Sequence, residues 1–284
     1  MLKEVGIFVH PYAGRPAQNR AREISKTTPN SFLTSDINDI KETDGPVLVA
    51  GGDGSIRRVV ECLCRDERFG PIGALGGGTN NVLRRGLVKK GLVLTLENFL
   101  SGQTKDDLKK FLFKPGLFGQ TTFNITVGLG KFEKTTGTIL ESLRGYAPRP
   151  VKSKITSLLS VISMARANPN VPPLDLFSTS PNFGSVTLFP KQKLHSSLLT
   201  HAWIEEPGAR GAGKLALSLV FWQAGIEPPS SCIKTEQGEA FEIPYDDPRI
   251  WIDGDTVFKR SLKEVHGNIL VSRSAKTVAL TAIV

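Results

Sequence analysis

The sequence is short of cysteine, of acidic residues and of long apolar runs. Three cysteines in 284 residues cannot build a disulfide framework. Cys62 and Cys64 stand too close for a good zinc spacing and Cys232 is far away, so all three read as reduced thiols, as in a cytoplasmic protein. No apolar stretch approaches the roughly 18 residues of a membrane span. The start, MLKEVGIFVHPYAG, has too short an apolar core for a signal peptide and reads as a first strand. A meeting with a membrane is therefore expected from the side. The 27 acids against 36 Lys and Arg leave a formal net charge of +9. That favours anionic partners, whether nucleotides, nucleic acid or an anionic membrane surface, without choosing among them. No nucleic-acid-binding motif is found, so nucleic acid is not an expected partner. Internal repeats and low-complexity tracts are also lacking. The rest is ordinary: 39% hydrophobic and 22% charged residues exclude long disorder, and the length suits two domains.

The first third alternates strand and helix. Val5–Val9, Val47–Ala50 and Ile72–Leu75 are short apolar strands, whereas Ala17–Lys26, the segment after Ser55, Thr79–Gly86 and Leu92–Leu100 read helical. This rhythm implies an α/β domain with a parallel sheet covered on both faces, where ligands bind at the carboxyl ends of the strands. After about residue 110 the pattern changes. Thr121–Val127, Ser185–Phe189, Leu215–Trp222, Ala240–Ile243, Ile250–Ile252 and Ile269–Val271 look like strands of a mainly antiparallel β domain. Helices near 133–143 and 154–167 interrupt them, and Asn168–Gly184 reads as an exposed loop. The boundaries are 1–110 for the α/β domain and 111–284 for the β-sandwich, with the last residues able to return to the first domain.

VLVAGGDGSIRRVVECLC, Val47–Cys64, joins a buried strand to three glycines, a carboxylate and a helix. Ile56, Val59, Val60, Leu63 and Cys64 make the apolar stripe of that helix. Free N–H groups at a helix start suit phosphate, and glycine, which costs conformational entropy, needs a reason to appear three times in four residues. The Walker A lysine is missing. Asp53 is the puzzle, because a carboxylate repels phosphate. Either it works through Mg²⁺ or it accepts backbone N–H bonds and shapes the turn. A second cluster, ALGGGTNNVLRRGL, repeats the logic: Gly76–Gly78 allow close approach, Thr79 and Asn80 can cap the next helix, Thr79 and Asn81 offer neutral polar groups, and Arg84 and Arg85 add positive charge. IDGDTV, around Asp253 and Asp255, reads by itself as an Asp-Gly hairpin turn.

These motifs resemble the diacylglycerol kinase catalytic-domain family, which includes bacterial lipid kinases and sphingosine kinases. GGDGS (Gly51–Ser55) is similar to its GGDGT, GTNN (Gly78–Asn81) to its GT-x-N, and VHPYAGR (Val9–Arg15) to its first-strand loop. FNITVGLG (Phe123–Gly130) resembles its domain-crossing segment, IWIDGD (Ile250–Asp255) its DGE motif, and KEVHGNILV (Lys263–Val271) its closing strands. The resemblance implies an N-terminal nucleotide-binding domain of the NAD kinase and diacylglycerol kinase type and a C-terminal antiparallel β-sandwich, with the active site in the cleft between them. It implies an ATP- and Mg²⁺-dependent transferase of phospholipid metabolism that phosphorylates a lipid hydroxyl. Carried over, His10, Pro11, Tyr12, Ala13, Gly14, Thr34, Gly51, Gly52, Asp53, Gly54, Ser55, Ile56, Arg57, Gly78, Thr79 and Asn81 hold the nucleotide, with Asp53 touching metal through Mg-ATP. Asp255 stands where the family has a glutamate as general base, and Asp253 is a second acid for Mg²⁺ or for orientation.

The sequence departs from the family in four places, at five positions. His10 replaces an asparagine, Arg57 and Arg58 an Asn-Glu pair, and Asp255 is roughly 1.5 Å shorter than glutamate. Ala212, in GAGKLALSL, occupies an aspartate position of a structural metal site, so that site is expected to be absent or altered. The departures motivate an alternative, a catalytically divergent nucleotide- or lipid-binding protein. An NAD kinase-like enzyme is another, since it shares GGDG. The expected partners are a lipid substrate, an anionic membrane touched peripherally and a second copy in a homodimer. His195, His201 and His266 read as surface or packing residues, and the basic helix Lys152–Arg166 as a packed helix with a solvated face.

Overall fold

Short apolar runs bounded by glycine, proline or charge become the central strands. The computed structural model describes residues 4–65, 71–78, 81–101, 109–130, 135, 139, 159, 174–180, 182–183, 186–187, 189, 192–194, 196–245, 249–253, 255–258 and 267–284. They fall into two units. One comprises Met1–Pro115, Phe183–Ser185 and Ser274–Val284, the other Gly116–Asn182 and Val186–Arg273.

In the first unit, β1 (Val5–Val9), β2 (Ser31–Thr34), β3 (Val47–Gly51), β4 (Pro71–Gly77), β5 (Val93–Leu94) and the C-terminal strand β19 (Val278–Ile283) form a sheet ordered β2-β1-β3-β4-β19-β5. All these pairings are parallel, and β6 (Leu112–Phe113) adds antiparallel to β19. Every residue of β3 and β19 is buried, as expected for strands covered on both faces. Helices α1 (Arg15–Thr27), α2 (Ile37–Lys41), α3 (Asp53–Arg65), α4 (Val82–Lys89) and α5 (Leu96–Leu100) complete the unit. The stripe Ile56, Val59, Val60, Leu63 and Cys64 is buried along α3. One core cluster joins Ile7 of β1, Leu48 of β3 and Ile283 of β19 to Ala21 and Ile24 of α1 and to Phe99 of α5.

In the second unit, β7 (Gly116–Phe118), β8 (Thr121–Phe123), β9 (Thr126–Gly128), β10 (Leu174–Ser178), β11 (Asn182–Phe183), β12 (Val186–Thr187), β13 (Leu199–Ile204), β14 (Lys234–Gly238), β15 (Ala240–Tyr245), β16 (Arg249–Ile252), β17 (Asp255–Phe258) and β18 (Gly267–Arg273) are strands, and α6 (Gly208–Gln223) is a helix. A six-stranded sheet runs β14-β13-β10-β9-β16-β17 and a four-stranded sheet β15-β18-β7-β8. Val127, Phe177, Leu199, Ile250 and Ile252 from the first meet Phe118, Phe123, Ile269 and Val271 from the second in one sandwich core. Ala212, Leu215 and Trp222 of α6 cover the outer face of the larger sheet with Leu174, Leu176, Ala202 and Ile204.

Three readings are corrected. Leu215–Trp222 is not a strand but part of α6, because Ala212, Leu215, Leu219 and Trp222 recur at helical spacing and pack on one sheet face. Asn168–Gly184 is not wholly an exposed loop: Leu174–Ser178 is β10, an interior strand paired on both sides, with four of its five residues buried. Leu92–Leu100 is not one helix. β5 occupies Val93–Leu94, and the Thr95 hydroxyl accepts the Asn98 N–H at 3.2 Å to start α5. The helices expected near 133–143 and 154–167 lie outside the described residues but for Thr135, Ile139 and Leu159, each of which is helical. No described helix is long and apolar enough to cross a membrane.

His201 is a packing residue with unusual surroundings. Its ring stacks between Phe177 at 4.2 Å and Trp203 at 4.5 Å. Its nitrogens meet Asp175 at 2.9 Å and Glu236 at 3.0 Å, so it ties β13 to both neighbouring strands.

Cys62, Cys64 and Cys232 are buried thiols, none joined in a disulfide among the described residues. Burial pushes the Cys64 thiol up to about 11, with Lys276 opposing and Glu61 adding to the rise. An unfolded thiol ionises near 8.5, so between there and about 11 the folded state keeps a proton that the unfolded chain gives up. The stability this contributes is complete below about pH 8.5 and is lost as pH rises through the folded value. Cys64→Ala should therefore flatten the alkaline limb of a plot of melting temperature against pH. A thiol titration should find no reactive group in the native protein at pH 8 and three after unfolding.

Candidate functional site

The carboxyl ends of β1, β3 and β4 are neighbours in the sheet, so the loops that follow them meet. The His10 N–H donates to Ala50 O at 3.0 Å and the Gly14 N–H to Gly77 O at 2.9 Å, hooking the first loop to both glycine clusters. The Tyr12 N–H donates to His10 Nδ1 at 3.2 Å. This is the i to i+2 bond of an Asx-type turn, with an imidazole nitrogen in place of an amide oxygen. The departure at His10 thus preserves the turn that an asparagine would build. Ala13 is buried while Pro11 and Tyr12 are exposed.

The two glycine clusters touch through their backbones. A Cβ on Gly78 would lie 2.2 Å from Gly52 Cα, closer than any side chain permits. Gly77 has φ +124°, and a Cβ there would stand 2.7 Å from that of Ala17 on α1. Asn81, at φ 47°, precedes α4 without capping it, and its Oδ1 instead accepts the Gly78 N–H at 2.8 Å.

Asp53 supplies the missing cap. Its Oδ2 accepts the Val82 N–H at 2.8 Å and its Oδ1 the Leu83 N–H at 2.9 Å. The carboxylate is buried and sits on the positive end of α4, which favours its charge. An acid at the first residue of α3 therefore closes the start of the next helix and ties one glycine cluster to the other. Both of its oxygens face backbone donors, which answers the puzzle of a carboxylate in a phosphate-like loop. Sequence reasoning identified Asp53 but not its partners, because Val82 and Leu83 contribute only main chain.

Arg84, from α4, reaches back to the sheet: its Nε donates to Ala74 O at 3.2 Å and its Nη2 to Ile283 O at 2.9 Å. Burial, and then the nearby Arg20, lower its pKa. Arg57 is half-buried and Arg58 exposed on α3. Ser55 lies in the first turn of α3, where its N–H bonds Gly52 O at 3.0 Å, as does that of Ile56 at 3.1 Å. Thr34, at the end of β2, is engaged locally. Its hydroxyl bonds the Asp39 carboxylate and accepts the Asp36 N–H at 2.9 Å. Thr79 lies outside the described residues.

The second acidic site is in the other unit. Asp253 is buried in the left-handed region at φ 53°. Its Oδ2 accepts the Asn124 N–H at 2.7 Å, and its Oδ1 accepts those of Ile125 at 2.7 Å and Thr126 at 3.1 Å. The expected strand Thr121–Val127 breaks into β8 and β9 here, because these N–H groups turn to a carboxylate. Asp255 opens β17, paired with Ile252 across the turn. The hairpin reading and the acidic-site reading of IDGDTV therefore coexist. Another residue that sequence reasoning missed is Arg273. Its buried guanidinium donates to the carbonyls of Thr179, Lys193, Leu194 and Ser196 at 3.0–3.3 Å, and burial lowers its pKa.

If these acids are anchors, their loss is felt without any ligand. Asp53→Asn should lower stability by about 1–3 kcal/mol in urea unfolding without nucleotide or Mg²⁺, whereas a pure metal ligand would leave that midpoint unchanged. Asp253→Ala strands three N–H groups and should cost about 3 kcal/mol or more in the same measurement.

Residues 5–108 match the family profile of the diacylglycerol kinase catalytic domain. No protein of curated function matches the chain by sequence. Among solved structures, a diacylglycerol kinase of Bacillus anthracis Sterne superposes with a TM-score of 0.59 at 14% identity, over 98% of this chain and 96% of that one. Two further structures from the same organism, both named provisionally as a diacylglycerol kinase, give TM-scores of 0.61 and 0.60 at 15% and 14% identity, over 98% of this chain and 96% and 97% of theirs. At such identities the superpositions establish the fold alone, and residues 5–108 carry the match to the diacylglycerol kinase catalytic domain.

Proposed function

We propose that this chain is an ATP-dependent lipid kinase that transfers the γ-phosphate of ATP to the hydroxyl of a diacylglycerol, a sphingoid base or a related lipid. The observation that carries the reading is the joining of three segments, 10–14, 51–55 and 76–78, at adjacent strand ends of a sheet within the family-matching segment. Three helices start at that edge. Asp53 occupies the N–H groups of α4, which leaves the first turns of α1 and α3 to receive phosphate. Arg15 opens α1 and Arg57 follows the start of α3, both positive, and no acid stands in the first turn of α1.

ATP fits this edge, because the glycine contacts let main chain approach a ligand closely. A resident metal ion does not fit it. Asp53 is committed to backbone donors, and among the described residues no group of three or more His, Cys, Asp or Glu could hold a metal. Mg²⁺ enters the proposal only as the counter-ion of ATP.

Asp255 is the proposed base that takes the proton of the attacking hydroxyl. Asp253 positions it: by holding the 124–126 backbone it fixes the turn from which β17 departs. Purified protein with Mg-ATP should phosphorylate at least one member of a panel of lipid alcohols. Asp255→Asn should lower kcat by about 10²–10⁴-fold while leaving the melting temperature and the ATP Kd unchanged. Tight ATP binding with no turnover of any lipid alcohol would replace this reading with that of a divergent binding protein, and phosphorylation of NAD would point to an NAD kinase-like enzyme.

A further inference from the structure

Helix α6 is apolar on two sides, and the sandwich covers only one. Ala212, Leu215 and Trp222 face the sheet. On the opposite side Gly213, Leu217, Val220 and Ala224 follow one another at helical spacing and are all exposed, Leu217 by 47% and Val220 by 62%. The stripe is about 16 Å long at 1.5 Å per residue. Past the helix end, Gly225 at φ +74° and a bond from the Ile226 N–H to Phe221 O at 2.9 Å fold the chain back, which holds Ile226, 55% exposed, at the end of the stripe.

We infer that this face of α6 docks on an anionic lipid bilayer, lying in its interface. The charge pattern selects that occupant. α6 contains no acidic residue, and Arg210, exposed one turn before Gly213, makes no ion pair with another described residue. Nearby acids are engaged elsewhere: Glu206 pairs with Lys214, Glu205 with Lys234 at 2.6 Å, and Glu227 lines a groove with Trp203 and Lys234. Packing a second copy against the stripe would set Arg210 beside its twin in a parallel pair or over the apolar end in an antiparallel pair. At a bilayer the guanidinium reaches lipid phosphate while the apolar side chains enter the acyl boundary. The net charge of +9 adds attraction to anionic lipid. The inference rests on the lipid-kinase reading, since such an enzyme must reach its acceptor at a membrane surface.

Docking is measured on the full chain by co-sedimentation with vesicles and without nucleotide. Mixed phosphatidylcholine–phosphatidylglycerol vesicles should bind more protein than pure phosphatidylcholine vesicles. Replacing Leu217→Glu and Val220→Glu together should cut that binding about tenfold or more, while Leu33→Glu, an exposed position on β2, should not. A polarity-sensitive dye on Val220→Cys should shift to the blue when vesicles are added, which also shows that the exposed position is read in a folded protein. Binding that survives the double substitution, a dye that does not respond, or a double substitution that turns a dimer into a monomer in ultracentrifugation would each overturn the inference. The two readings fail separately. Vesicle binding without lipid phosphorylation defeats the kinase reading, and phosphorylation of micellar lipid with vesicle binding indifferent to α6 defeats the docking.

Discussion

Two hydrogen bonds from the backbone of α4 to the carboxylate of Asp53 hold the candidate site together. They join residues 29 and 30 positions apart, across the Gly52–Gly78 contact, and fix where α4 starts relative to α3. The charge of Asp53 is stabilised by the helix it caps, and it neutralises the start of α4. A loop rich in glycine is costly to order, and these bonds offset that cost where the backbone could otherwise wander. The same logic recurs in the second unit, where Asp253 gathers three backbone N–H groups at 2.7–3.1 Å and sets the register of β9 against β16. In both places an acid that sequence motifs associate with catalysis works on main chain.

That division of labour separates positioning from chemistry. Phosphoryl transfer, the proposed chemistry, depends on placing groups and neutralising charge, and buried carboxylates that freeze backbone serve the placing. Asp53 and Asp253 are anchors. Asp255, one turn residue beyond Asp253, is the acid proposed for proton transfer. The departure at His10 fits the same view: an imidazole nitrogen accepts the Tyr12 N–H and preserves the turn. Arg57 and Arg58 add positive charge near the start of α3.

The parallel sheet was legible because Val5–Val9, Val47–Ala50 and Ile72–Leu75 are uninterrupted apolar runs, and the α3 stripe because its period is 3.6. The loops were legible because three glycines in four residues have few other uses. Less legible was α6, whose apolar residues occupy two faces and blur its period into something strand-like. β10 was hidden behind prolines and polar residues that suggest a loop. Its burial comes from two partner strands, which no local pattern announces.

The sequence by itself determined β1, α1, β3, α3 and β4 of the first unit, the glycine loops, and the choice of Asp53, Asp253 and Asp255 as candidate acids, because side-chain type and spacing carry that information. Only the tertiary structure decided what Asp53 and Asp253 bind. Backbone N–H groups have no residue identity, so nothing in the letters Val82, Leu83, Asn124 or Ile125 marks them as donors to a carboxylate far along the chain. The same holds for β19, which becomes an interior strand between β4 and β5 because its six buried residues need apolar cover on both faces and the first sheet supplies it.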